Sequence, residues 1–215
     1  MNSLVLFTKC LIIAEVISAI AAFATWKKWR GNYINWFPFY LSALILLEFL
    51  NYMFNYYHQK EIVSLVYQTS ITIEILFVSY FFYKTLSLQN RSITIYGVIA
   101  FVIALLLEKT LLKNSSYYFQ SLSYTIGTLF ILIYLILFFT ELVRSKNIFT
   151  FNKLTTFWVG LGMLIFYLGT FPFYGLYNEL AKNLNLFMPV AWVATFLNYC
   201  MYLLFTIGFI WGKPH

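Results

Sequence analysis

Long apolar runs alternate along the chain with short polar connections. Seven runs, over residues 4–26, 36–57, 62–84, 92–112, 117–142, 154–177 and 187–211, reach the length at which an α-helix crosses a bilayer, about 20 residues for about 30 Å of hydrocarbon. The fourth is the least clean, because Glu108 and Lys109 truncate it. The pattern predicts an all-α, polytopic membrane protein: a single seven-transmembrane-helix bundle over residues 1–215. The longest connections, residues 144–153 and 178–186, are too short for a separate catalytic domain. The second of them, Asn-Glu-Leu-Ala-Lys-Asn-Leu-Asn-Leu, can form two helical turns with Leu180 and Leu184 on one side, as a lid or as a plain linker.

The informative positions are the polar breaks inside the runs. In the second run Glu48, Asn51 and Asn55 stand three and four residues apart, which places them on one helical face. Tyr67, Ser70 and Glu74 repeat the spacing in the third run, Glu15 interrupts the first at mid-length and Asn198 the seventh. At about 1.5 Å per residue, Glu15, Glu48, Glu74 and Asn198 all fall in roughly the middle third of the bilayer. A carboxylate facing lipid there costs about 2.5–3.5 kcal/mol even on the gentler insertion scale, so these groups should face the bundle interior. Apart from Lys9 no basic residue occupies the middle of a run, so the acids lack an obvious counter-ion. At least one of Glu48 and Glu74 is therefore expected to carry its proton at neutral pH.

Glu15, Glu48, Asn51, Glu74 and Asn198 form the candidate ligand or proton site, with Asn55, Tyr67 and Ser70 as supporting groups. Two readings stay open. Neutral Glu and Asn can act as hydrogen-bonding glue between helices, worth about 1 kcal/mol or less per bond. Alternatively, three acids at one depth line a pocket for a small ligand, a proton or a cation.

Packing features surround this set. Ala14, Ser18 and Ala22 make a small-residue stripe beside Glu15, and Gly162 and Gly169 share a face of the sixth run, where helices can approach closely. Pro172 should kink that run. The seven runs also suit a three-plus-one-plus-three arrangement, in which Glu74 corresponds to Asn198.

Composition supports the membrane reading: 62% of residues are hydrophobic, 10% are charged and the mean hydropathy is +0.78. Asp is absent and the seven acids are all Glu, against eleven Lys and three Arg. The net charge of +7 follows the positive-inside rule and does not call for nucleic acid. Lys27, Lys28, Arg30, Lys84, Arg91, Arg144, Lys146, Lys153 and Lys213 fall on one side and Lys60, Lys109, Lys113 and Lys182 on the other. That bias places the N-terminus outside and the C-terminus in the cytoplasm. Trp26, Trp29, Trp36, Trp158 and Trp211 gather at the inner interface, and Tyr56, Tyr57, Tyr117, Tyr118, Tyr174 and Tyr177 at the outer. Cys10 and Cys200 lie inside apolar runs and imply no disulfide. The first run is too long for a signal peptide, and its positive charge follows the apolar core instead of preceding it.

Several chemistries lack their residues. The seventh run has no Lys for a retinal Schiff base, and His58 and His215, at a rim and at the last position, cannot supply haem or zinc ligands. No Ser and His pair lies at depth, no two acids adjoin and no Gly-rich phosphate loop is present. The reading is of a non-enzyme with no cofactor and no metal.

Leu-Leu-Glu-Phe-Leu-Asn in the second run, Ser-Ile-Thr-Ile-Glu-Ile-Leu-Phe-Val-Ser-Tyr-Phe-Phe-Tyr in the third, Phe-Trp-Val-Gly-Leu-Gly-Met-Leu-Ile-Phe-Tyr in the sixth and Leu-Asn-Tyr in the seventh resemble a family of small bacterial seven-helix membrane proteins. Its members are mostly uncharacterised and are often encoded beside, or fused to, sensor histidine kinases. The resemblance implies a receptor-like or signal-relay module in the plasma (inner) membrane of a bacterium. It also implies a membrane or cytoplasmic signalling partner such as a histidine kinase, and it allows a homo-oligomer. Carried over residue by residue, it points again to Glu48, Glu74 and Asn198. The alternatives are a transporter or ion-conducting pore using the same carboxylates, or a membrane-disrupting defence effector.

Overall fold

The computed structural model describes residues 2–111, 121–145 and 150–213. Leu112, Lys113, Tyr117, Tyr118, Lys146, His215 and the Lys9 side chain, all used in the expectations above, lie outside the described residues. The chain forms α1 (Asn2–Ala24), α2 (Phe37–Tyr56), α3 (Lys60–Thr85), α4 (Arg91–Leu111), α5 (Ser121–Arg144), α6 (Thr155–Gly175), the single turn α7 (Tyr177–Leu180) and α8 (Leu184–Trp211). Among the described residues the only extended pairing is an isolated bridge between Leu154 and Lys213. Six helices, α2 to α6 and α8, are long and apolar enough to cross a membrane. The molecule is thus a polytopic helical bundle suited to a lipid bilayer, in which each spanning segment satisfies its own backbone.

Local chemistry sets the helix ends. Pro38 sits in the first turn of α2, where its missing N–H leaves no bond unmade. The Asn183 side chain accepts from the Asn185 N–H (3.1 Å) and starts α8. His58 closes the short α2–α3 connection at φ 57°. Within the helices, hydroxyls such as those of Ser70 and Thr72 donate to carbonyls four residues back (3.0 and 2.9 Å), so they expose no unmet donor to hydrocarbon.

Six helices close a ring in the order α1, α2, α3, α5, α6, α8, and α4 packs outside it against α3 and α5. The α6–α8 seam is close: a Cβ at Gly162 would stand 3.1 Å from the Met201 carbonyl oxygen, and one at Gly169 would strike Leu197. Beside Glu15, Ser18 and Ala22 are fully buried. In one half of the ring, Phe37 is surrounded by Tyr40, Phe77, Phe81, Phe205 and Phe209, with ring centroids 5.1–5.7 Å away. Such edge-to-face contacts add about 0.5–1.5 kcal/mol each beyond area burial.

That aromatic cluster lies toward the end carrying Lys27, Lys28, Lys84 and Lys213. There Lys28 donates to the Ile210 carbonyl (3.3 Å); desolvation, then the nearby Lys213, pull its pKa below the ordinary value. Trp29, expected in the interfacial belt, is instead a core residue at 1% exposure, its indole donating to Thr25 (3.2 Å).

The α4 helix, Arg91–Leu111, matches the expected run of 92–112 to within one residue at each end, and Glu108 lies inside it. The Glu108 carboxylate, 4% exposed, accepts from the Leu122 and Ser123 N–H groups (3.1 and 3.0 Å) and the Ser123 hydroxyl (2.6 Å). It caps α5, whose first-turn N–H groups have no intrahelical acceptor. At the other end, Glu141 accepts from the Ser87 N–H and hydroxyl (3.0 and 2.7 Å) and the Asn90 amide (2.6 Å), tying α5 to the loop before α4. The segment at residues 178–186 is divided by the start of α8 and does not form one two-turn lid; Leu184 is 65% exposed.

Candidate functional site

The ring surrounds a partly open cavity of about 450 Å³. Its polar wall comes from the interrupted faces noted in the sequence. Glu15 is contributed by α1, Glu48 and Asn51 by α2, Tyr67, Ser70 and Glu74 by α3, and Asn198 by α8. Asn55, one turn beyond Asn51, is exposed at the end of α2 and does not line the cavity. The i, i+3, i+4 spacing explains the convergence: on each helix these positions share the face turned into the ring. None of the lining residues belongs to α4.

The acids fall into two groups. Glu15 lies beside Glu48 and the Tyr202 phenol. Glu74 accepts a hydrogen bond from the Tyr167 hydroxyl of α6 (2.7 Å). Glu15 is 5% exposed, and its Oε2 has no hydrogen-bond partner among the described residues; the same holds for Asn198 Oδ1. Buried acceptors left in this condition cost about 1–3 kcal/mol each, more when charged.

Tyrosines were the residues that sequence reasoning missed. Tyr40, Tyr124, Tyr174 and Tyr202 line the cavity, and Tyr167 anchors Glu74. Tyr202 stands four residues after Asn198 and Tyr40 eight before Glu48, so helical spacing was a usable signal for both. Nothing in the sequence near Tyr167 pairs it with a residue ninety-three positions away. Tyr174, assigned by its position to an interfacial belt, instead packs against Tyr124 (centroids 4.9 Å) on the cavity wall.

The cavity has two different ends. Its floor, at Tyr40, Phe166 and Met201, rests on the aromatic cluster around Phe37, and Tyr40 stacks on Phe77 (4.0 Å). From there it reaches toward the end where α1, α3 and α8 begin, to Thr8, Tyr67 and Phe187. Near this rim the Tyr199 hydroxyl donates to the Phe7 carbonyl (2.9 Å), and Phe7 stacks on Trp192 (4.9 Å), holding α1 against α8. The described lining residues offer three carboxylates and no Lys, Arg or His. They can accept hydrogen bonds and attract positive charge; they offer no nucleophile paired with a base.

No protein-family model, no curated protein and no solved structure matches this chain. The functional reading therefore stands on the cavity.

Proposed function

We propose that this protein is a receptor-like, signal-relay membrane protein that binds a small ligand or a proton in the cavity between its helices. In this proposal seven helices, α1 to α6 and α8, span the plasma (inner) membrane of a bacterium, with the N-terminus outside and the C-terminus in the cytoplasm. The observation that carries the reading is the cavity itself, on whose lining residues the buried Glu15 Oε2 and Asn198 Oδ1 have no partner among the described residues. Interhelical glue would leave these groups bonded to one another and would need no space.

The ligand acts by binding one arrangement of the helices better than another, since only differential affinity shifts such an equilibrium. Tyr40 is the natural transmitter, because it lines the cavity and touches both Phe37 and Phe77. A shift there reaches Phe205 and Phe209, hence the basic end, where a membrane or cytoplasmic signalling partner such as a histidine kinase would read it. The packed aromatic floor favours this reading over an open pore.

A transporter is the second reading. It is favoured by the placement of α4 outside a ring made of two groups of three helices, and by Pro172 and Pro189 inside α6 and α8.

Cysteine accessibility tests the first reading. In a chain with Cys10 and Cys200 changed to Ser, Ser70→Cys is expected to react with a membrane-impermeant maleimide added to intact cells. Reaction only in inverted vesicles would reverse the orientation, and reaction from neither side would remove the accessible cavity. Solute flux in proteoliposomes that Glu48→Gln abolishes would move the assignment to transport, whereas growth arrest on expression would move it to the effector class.

A further inference from the structure

Resting on the cavity reading above, we infer that the ligand is a small organic ammonium ion whose apolar body lies among the cavity's aromatic rings. Charge decides the sign. The cavity wall carries Glu15, Glu48 and Glu74 and, among the described residues, no basic side chain. An anion would meet these acids in a low-dielectric interior, where like charges repel most strongly. A cation beside Glu15 and Glu48 lets both ionise, which two neighbouring acids without a counter-ion resist.

Hydrogen bonding decides the head group. Glu15, 95% buried, and Asn198 both line the cavity, and among the described residues Glu15 Oε2 and Asn198 Oδ1 have no hydrogen-bond partner. An ionised Glu15 offers only acceptors, as does Asn198 Oδ1, so a ligand that meets them brings donors, and N⁺–H groups make the stronger, charge-assisted bonds.

No three His, Cys, Asp or Glu side chains among the described residues converge on a point that could hold a metal, whereas a calcium site gathers six to eight oxygens. Glu15 lies beside Glu48 and Tyr202, and Glu74 accepts from Tyr167. Tyr40, Tyr124, Phe166, Phe173, Tyr174 and Phe187 supply the remaining wall. Aromatic faces attract a cation within about 6 Å of the ring centroid and also accept an apolar body. The volume, about 450 Å³, lies within the roughly 300–1,000 Å³ of small-molecule sites and far exceeds what a proton needs.

The experiment measures thermal unfolding of the full chain in mild detergent with three probes of one shape: 2-phenylethylamine, 2-phenylethanol and phenylacetate. The amine is expected to raise the midpoint saturably while the alcohol and the carboxylate leave it unchanged. Glu15→Gln and Glu48→Gln should each weaken the amine's apparent affinity by about tenfold or more, the loss of one charge-assisted bond. If one variant fails to fold, the other carries the same test. Equal stabilisation by the alcohol or the carboxylate overturns the inference, as does an amine effect that survives both substitutions or no amine effect at millimolar concentration. Ala191→Trp, which fills the cavity, separates the two levels: neutral or anionic probes whose effect it abolishes leave the cavity reading standing without the cation, and effects that persist in it overturn both.

Discussion

The α4–α5 hairpin and the central ring place their acids in opposite circumstances. Glu108 and Glu141 each accept three hydrogen bonds from named N–H and O–H groups at helix ends and loops. Glu15 and Glu48 lie side by side on the wall of a cavity, and among the described residues Glu15 Oε2 has no partner. The first arrangement is what stability asks of a buried carboxylate, because every lone pair it turns inward meets a donor. The second serves stability poorly and is retained where something else is gained, as at binding and switching sites. Two acids of the same type, each inside an apolar helix, thus come to do different work according to what the neighbouring helix offers them.

Substitutions can break or sharpen that contrast. The largest effect is expected at Glu108→Ala, which removes the acceptor of two N–H groups at the start of α5 and of the Ser123 hydroxyl and should cost about 3–5 kcal/mol. The measurement is thermal or denaturant unfolding in detergent; a loss below about 1 kcal/mol would mean that water or another group takes over the cap. Gly162→Val forces a side chain against the Met201 carbonyl and Phe205, and should cost about 1–3 kcal/mol by separating α6 from α8. Glu141→Ala acts on a partly exposed loop clamp, so about 1–2 kcal/mol is expected, with faster hydrogen exchange at Ser87 and Asn90 as the local sign.

The cavity acids should behave otherwise. Glu15→Gln and Glu48→Gln are expected to change stability by less than about 1 kcal/mol, or to raise it, because a neutral amide replaces a poorly satisfied acid. A loss of the size expected at Glu108 would put the cavity acids in the same structural class and end the comparison. At Tyr167→Phe about 0.5–1.5 kcal/mol is expected, for one hydrogen bond. Its coupling to Glu74→Gln in a double-mutant cycle measures how firmly the third acid is held.

Much of the architecture was legible in the chain. Helix boundaries follow the apolar runs to within a few residues, and the positions of Glu48, Asn51, Ser70 and Glu74 on single faces follow from 3.6 residues per turn. The fate of Glu108 was not legible. The run was read as extending past it to residue 112, much as the helix does, but the donors that receive its carboxylate belong to another helix. Trp29 was misplaced for a similar reason: amphipathic character predicts an interfacial ring, yet Thr25 and the surrounding core bury it. The aromatic cluster around Phe37 draws on α2, α3 and α8, and no local pattern distinguishes its phenylalanines from those that face lipid.

By itself, then, the sequence determined which segments are apolar and helical and which polar groups share a face, since both follow from hydropathy and helical period along one chain. Tertiary structure alone decided which of those faces turn toward one another: α4 is left outside the ring, its Glu108 is satisfied by a neighbouring helix end, and Glu15, Glu48 and Glu74 are brought to one partly open cavity. The physical reason is that a helix in an apolar medium is indifferent to which side faces its neighbours until close packing and interhelical hydrogen bonds select one.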